Sequence, residues 1–225
     1  MASTRLDIYY SQIPPNAVYM TFNGLGPGER GLRSIGSGKL VVLKRGKTER
    51  NATLLFRENG ESFASELEIS AKLAAPLGLK AQSRYQVTYD PKTNVLTFVP
   101  SPVSTTVAKL MTSAKPAAGR IAIGYELLSK LGIPDSGSPS IDCRTATAAK
   151  QLRVRSPSNL FDKGLYLDLP TIRALGLSSG AYVSLTYNQT TKTLSFAPTK
   201  SPLPQANRSS KSPRTLKHRE GGDLY

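Results

Sequence analysis

Cysteine occurs once in the 225 residues, as Cys143, histidine once, as His218, and tryptophan not at all. A single cysteine excludes an intrachain disulfide framework and a cysteine-rich zinc site, so an apolar core must supply the stability. A single histidine in a basic tail excludes His–Cys metal sites, and a Ser–His–Asp set would need that tail to fold back onto the body. No run approaches the roughly 18 apolar residues of a membrane helix. The first residues, MASTRLDIYYSQIPP, carry no apolar signal segment. Acids are also scarce, 15 against 30 Lys and Arg, for a net charge of +15. A field of that sign concentrates polyanions and acidic surfaces, and nucleic acid comes first among them. The expectation is a soluble, cytoplasmic protein with no cofactor, no metal and no membrane partner.

What the chain has in quantity is repetition. Leu67–Pro100 lies over Leu165–Pro198 without a gap, at a constant offset of 98 positions. Leu77-Gly78-Leu79 falls on Leu175-Gly176-Leu177, Thr88-Tyr89 on Thr186-Tyr187, and Leu96, Phe98 and Pro100 on Leu194, Phe196 and Pro198. An ungapped match across a whole supersecondary unit marks an internal repeat. Each copy reads as a short alternating strand, a short helix and a hairpin. Ser70 and Asp168 are N-capping residue types, Pro170 suits a first helical turn, and Gly78 and Gly176 suit the left-handed position that ends a helix. DPKTN and NQTTK form the turns, and the registered aromatics belong to a core.

A looser copy lies between them. In Gly119–Ile133, Ile121 and Ile123 alternate, Tyr125–Leu131 has helical spacing, and Gly132 stands where Gly78 and Gly176 stand. Ser140–Arg144 and Gln151–Arg155 read as the next two strands. The predicted organisation is an N-terminal barrel-like domain over 7–102 with a diverged first half, a linker over 103–117, a C-terminal pseudo-twofold barrel over 118–199, and a disordered basic tail over 200–225. Ala17–Phe22, Lys39–Lys44 and Ala52–Arg57 are the strand-like segments of the diverged half. The tail has six basic and two acidic residues, a net +4, which leaves +11 to the rest.

Gly119-Arg120-Ile121-Ala122-Ile123, Glu126-Leu127-Leu128 and Lys130-Leu131-Gly132-Ile133 resemble the AbrB/MazE type of swapped-hairpin DNA-binding domain. That resemblance spans about 25 residues. It implies a mostly β protein with short helices, built of tandem β-α-β-β units that form cradle-loop barrels, swapped-hairpin or double-psi-like. It carries Arg120 over to a DNA-contacting role, with Arg144 as a weaker second. Where the family usually has Gly-Asp after the helix, this chain has Pro134-Asp135-Ser136-Gly137, and the outer copies have Glu66 and Lys163 near the Arg120 position. Family members dimerise to complete a barrel, whereas tandem copies let one chain close its own; homo-oligomerisation stays open.

Three basic clusters are the candidate binding residues. Lys44, Arg45, Lys47 and Arg50 sit on a hairpin-like turn, where long cationic side chains can hold phosphates. Arg153 and Arg155 alternate on one strand and share a face. Lys211, Arg214, Lys217 and Arg219 could neutralise phosphates from a flexible arm, with salt-sensitive, sequence-independent contacts. Two glycine-rich stretches read as turns. Gly24-Leu25-Gly26-Pro27-Gly28 could cradle phosphate, but glycines supply turn angles at low steric cost, and in Gly36-Ser37-Gly38-Lys39 the lysine runs on into a strand, not the helix that a phosphate-binding loop requires. Glu58, Glu61, Glu66 and Glu68 read as a solvated edge. Tyr85 and Tyr182 are the aromatics that could stack on single-stranded bases if exposed.

No catalytic set emerges, so the expected function is non-enzymatic nucleic-acid binding, DNA foremost, in transcription regulation or another form of DNA handling. The alternative is a structural or assembly protein of a phage or spore particle that binds an acidic protein. Arginines 120, 144, 153 and 155 on one continuous exposed face would favour the first.

Overall fold

The computed structural model describes residues 1–22, 26–57, 65–113, 118–134, 137–156 and 164–199. The expectations for Lys211, Arg214, Lys217, Arg219, Glu58, Glu61 and the 200–225 tail lie outside these residues.

Each half of the chain folds into a closed seven-stranded barrel around its own apolar core. The first uses β1 (Ala2–Tyr10), β2 (Ala17–Thr21), α1 (Pro27–Arg33), β3 (Lys39–Arg45), β4 (Thr48–Phe56), β5 (Glu66–Ile69), α2 (Ala71–Leu77), β6 (Ser83–Asp90) and β7 (Val95–Pro100). The second uses β8 (Val103–Thr112), β9 (Arg120–Ile123), α3 (Tyr125–Leu131), β10 (Ser140–Arg144), β11 (Ala149–Arg155), β12 (Leu165–Leu167), α4 (Leu169–Ala174), β13 (Tyr182–Asn188) and β14 (Thr193–Pro198). Around the first barrel the order is β1-β5-β2-β4-β3-β7-β6, and the second repeats it strand for strand. Among the described residues the fold is therefore mostly β with four short helices, two closed barrels in tandem.

The expected local chemistry operates in both barrels. Ser70 Oγ accepts from the Leu73 amide and Asp168 Oδ1 from the Thr171 amide, as N-caps do. Gly78, Gly132 and Gly176 all take left-handed angles just past a helix. The hairpin turns repeat as well: Asp90 accepts from the Lys92 amide, and Asn188 accepts from the Thr190 amide at the matching position. Bonds from the Lys92 amide and the Thr93 hydroxyl hold the Asp90 carboxyl below its usual range.

Two expectations need correction, and one cause explains both. The first barrel begins at Ala2 rather than residue 7, and Val103–Thr112 is a full strand of the second barrel rather than linker. Strand β1 pairs parallel to β5 and antiparallel to β6, as β4 pairs parallel to β2 and antiparallel to β3. It thus completes the second β-α-β-β unit from outside that unit. Strand β8 does the same in the second barrel, where Leu110 faces Leu165 as Ile8 faces Leu67. Both strands are weakly patterned. In β8 the inward positions include Ser104 and Ala108, small residues that read as linker composition.

Helix α1 stands where a glycine turn is expected. Pro27 opens it without wasting a donor, and Gly28 and Gly31 lie against Ser3 and Ala2 of β1. A methyl group on Gly28 would overlap the Ser3 carbonyl oxygen, a backbone atom that cannot swing aside. Gly28→Ala is expected to lower stability by roughly 1–3 kcal/mol through that overpacking, despite alanine's better helix propensity. Urea unfolding checks it, and an unchanged or higher midpoint would refute the close approach.

Only Ser101 and Pro102 separate β7 from β8. Arg84, at the start of β6, locks the barrels together. Its Nε and Nη2 donate to Asp7 Oδ1 and Oδ2 at 3.0 and 2.7 Å. Its Nη1 donates to Ser104 Oγ on β8 and to the Lys130 carbonyl, and its Nη2 also donates to the Ser129 carbonyl. All five guanidinium hydrogens are thereby used, two on a carboxylate and two on the open carbonyl end of α3. Gln189 finishes the junction: its Oε1 accepts from the Arg84 amide and its Nε2 donates to the Gly132 carbonyl.

Candidate nucleic-acid interface

Burial alternates along β9, β10 and β11. Ile121, Ile141, Cys143, Leu152 and Val154 point into the second barrel's core, so Arg120, Arg144, Arg153 and Arg155 point outward and are exposed. The three strands are neighbours in the order β10-β11-β9. The four arginines therefore share one wall of the second barrel. Ser140 lies opposite Arg153, and Arg153 lies opposite Arg120, so one row across the wall reads Ser, Arg, Arg. Arg155 lies one row along, opposite Ala122.

Like charges directly opposite on neighbouring strands repel. Arg120 and Arg153 hold that arrangement with no acidic partner among the described residues, and Arg155 has none either. Arg144 is different, since its Nη2 stands 3.6 Å from Asp142 on its own strand. A shallow recess of about 320 Å³ opens where the row starts, lined by Arg120, Arg153, Ser140, Gln151 and the adjoining backbone. A second hollow, about 440 Å³, lies farther round the wall and is lined mainly by hydroxyl side chains such as Thr186, Thr193 and Ser195, beside Arg144.

The first barrel does not repeat this wall. Val18 faces Leu54 as Ile121 faces Val154, so Ala17 and Thr53 hold the places of Arg120 and Arg153. Its own outer wall carries Glu66 and Glu68 on β5, and Glu68 pairs with Arg57 at 2.7 Å.

The cations of the β3–β4 hairpin do not form one cluster. Lys44 pairs with its cross-strand neighbour Glu49 at 2.6 Å. Arg45 turns inward, where its Nη1 donates to the Leu77 and Gly78 carbonyls at 3.1 and 2.9 Å and its guanidinium lies 5.8 Å from the Tyr85 ring. Arg45 thus closes the C-terminal end of α2 and is not free for a ligand, which corrects its place among the candidates. Lys47 and Arg50 remain exposed. Gly36 and Gly38 form a turn that leads directly into β3. Tyr85 is buried, edge-on to Phe98, and its hydroxyl accepts from the Lys80 amide, so it offers no stacking surface. Tyr182 is half-buried.

No group of three or more His, Cys, Asp or Glu side chains is gathered among the described residues. Cys143 is fully buried, and burial, with a smaller push from Asp142, drives its thiol from 9.0 up to about 12. Above pH 9 the unfolded chain loses this proton while the folded chain keeps it until about 12. Stability must therefore fall as pH rises through that window, by up to about 1.4 kcal/mol per pH unit from this group. Burial also raises Tyr187, which adds to the fall above its ordinary value of 10.0. Urea midpoints between pH 8 and 11 should decline more steeply for the natural chain than for Cys143→Ala. Equal slopes would remove the thiol from the account.

The chain matches no protein-family model, no curated protein and no solved structure in the three comparisons made. The resemblance to AbrB/MazE-like domains thus rests on the sequence alone, strongest at residues 119–133, while the barrel architecture stands on the strand order.

Proposed function

We propose that this is a non-enzymatic nucleic-acid-binding protein, with double-stranded DNA as its foremost ligand and the β9–β11–β10 wall of the second barrel as its ordered binding surface. One observation carries the reading: Arg120 and Arg153 stand opposite each other, exposed, and without an acid beside them among the described residues. Mutual repulsion makes that placement unfavourable in the free protein, and a polyanion turns it into attraction. The basic tail, with Lys211, Arg214, Lys217 and Arg219, adds a second, sequence-independent hold. Duplication of the fold without duplication of the arginines implies one duplex site per chain. A role in transcription regulation fits this reading and rests on the resemblance alone.

The test is a titration of the purified, nucleic-acid-free protein with a short duplex across a salt series. Binding at nanomolar to low-micromolar concentrations near physiological salt, at one site per chain and with a steep salt slope, supports the reading. Absence of binding even at low salt would sink it and put the alternative, an assembly protein with an acidic partner, ahead.

A further inference from the structure

The outer wall of a closed barrel is convex, and it offers no edge strand and no deep groove. A nucleic acid meeting such a wall can be held through its backbone, or through bases splayed onto aromatic rings. On β9, β10 and β11 the outward residues are arginine, glutamine, serine, aspartate and alanine, with no aromatic among them. The nearest outward ring is Tyr166 on β12, in register with Ala122. That ring lies back against Gly164, so closely that a methyl group on Gly164 would collide with it. Stacking therefore has no platform beside the arginines.

The recess at the start of the row has the opposite character. Arg120 and Arg153 supply two guanidinium forks, and Ser140 and Gln151 supply a hydroxyl and an amide. Gly119, in the left-handed region with open space around its Cα, turns the chain into β9, and its carbonyl accepts from the Arg153 amide, which ties the two strands at this point. Guanidinium forks fit tetrahedral oxyanions through paired N–H···O bonds, which an ammonium cannot match. At about 320 Å³ the recess lies at the bottom of the range for small-molecule sites. It has room for one phosphate with its water, and it has no apolar wall for a base.

We propose that this recess is a phosphate site, with Arg120 and Arg153 as its two anchoring side chains, and that it takes one backbone phosphate of a duplex without reading the base attached to it. This rests on the nucleic-acid reading above for the identity of the ligand and on the geometry of β9, β10 and β11 for the site itself.

The experiment uses the full chain in two arms. In the first, inorganic phosphate is titrated while the arginine Nε–H signals are followed by NMR. Shifts confined to Arg120 and Arg153, with Arg144 and Arg50 unmoved, support the site; equal drift of all exposed arginines shows a diffuse field and overturns it. In the second, a 20-base-pair duplex and one of its strands are compared by fluorescence anisotropy for the natural chain, Arg153→Lys and Arg153→Ala. The site predicts that the duplex binds at least ten-fold more tightly than the strand. It also predicts that Arg153→Lys, which keeps the charge but loses the fork, is weakened at least three-fold, and Arg153→Ala more. Unchanged binding by Arg153→Lys with duplex binding intact overturns the site and leaves the general function standing. Selective phosphate shifts with no duplex binding would do the reverse, supporting the site and removing the nucleic-acid reading.

Discussion

Replacement of Arg84 by alanine is expected to lower the stability of the chain by about 3–5 kcal/mol, the usual consequence of leaving one member of a buried ion pair alone. Asp7 would lose its partner inside the junction, where both side chains are more than nine-tenths buried. The Ser129 and Lys130 carbonyls would lose their donor at the same time. At roughly 2–4 °C per kcal/mol for a chain of this size, the melting temperature should drop by about 10 °C. The shape of the transition is the sharper readout. Each barrel has a complete core of its own, so the Arg84→Ala chain should melt in two steps where the natural chain melts in one. Arg84→Lys should recover little, because an ammonium cannot donate to two carboxylate oxygens, a hydroxyl and two carbonyls together. Calorimetry decides the matter, and a single transition at an unchanged temperature would show that the junction adds nothing to stability.

The second large effect concerns binding. Removing Arg120, Arg153 and Arg155 together should weaken duplex binding by about three orders of magnitude, at roughly ten-fold for each charge-assisted hydrogen bond of about 1.5 kcal/mol. The log–log salt slope should flatten by about 1.8, at about 0.9 for each phosphate no longer neutralised, one held by Arg120 and Arg153 together and one by Arg155. Arg45→Ala is the matched control. It removes one charge where the triple variant removes three, but Arg45 is engaged with the end of α2, so its loss should cost stability and leave the salt slope unchanged. If the control shifts the slope by about a third of what the triple variant does, net charge and not the wall controls binding.

Much of the architecture is open to sequence reading because the repeat is written in residues whose physics is local. Ser70, Asp168, Gly78, Gly132 and Gly176 mark helix ends by their own hydrogen bonding or backbone angle, and the structure keeps each in that role. The alternation in QLRVR puts Arg153 and Arg155 on one outer face, where the structure has them. What escapes is information held between segments. Strand β1 completes a unit more than 50 residues away, and no local signal in ASTRLDIYY says so. The pairing of Arg120 with Arg153 depends on a parallel register that only the closed barrel defines. Arg45 reads as one more member of a basic turn, since nothing in KRGK distinguishes a cation facing solvent from one closing a distant helix. Arg84 is inconspicuous in sequence, and its importance comes from Asp7 and the end of α3 arriving together.

The placement of β1 and β8 also bears on how the chain reaches its native state. Ala2 pairs with Tyr89, and Val103 pairs with Asn188, so each barrel is sealed between its first strand and its next-to-last. Contacts of such sequence separation are formed slowly, on the scale of milliseconds to seconds for β-rich domains. During synthesis the opening strand of a barrel must wait, unpaired on both edges until the fifth strand of that barrel has been made and on one edge until the sixth. The two barrels share no strand, however, and β7 ends before β8 begins. The first can therefore seal while the second is still being translated, and it offers no open edge into which the incoming copy of the same topology could exchange a strand.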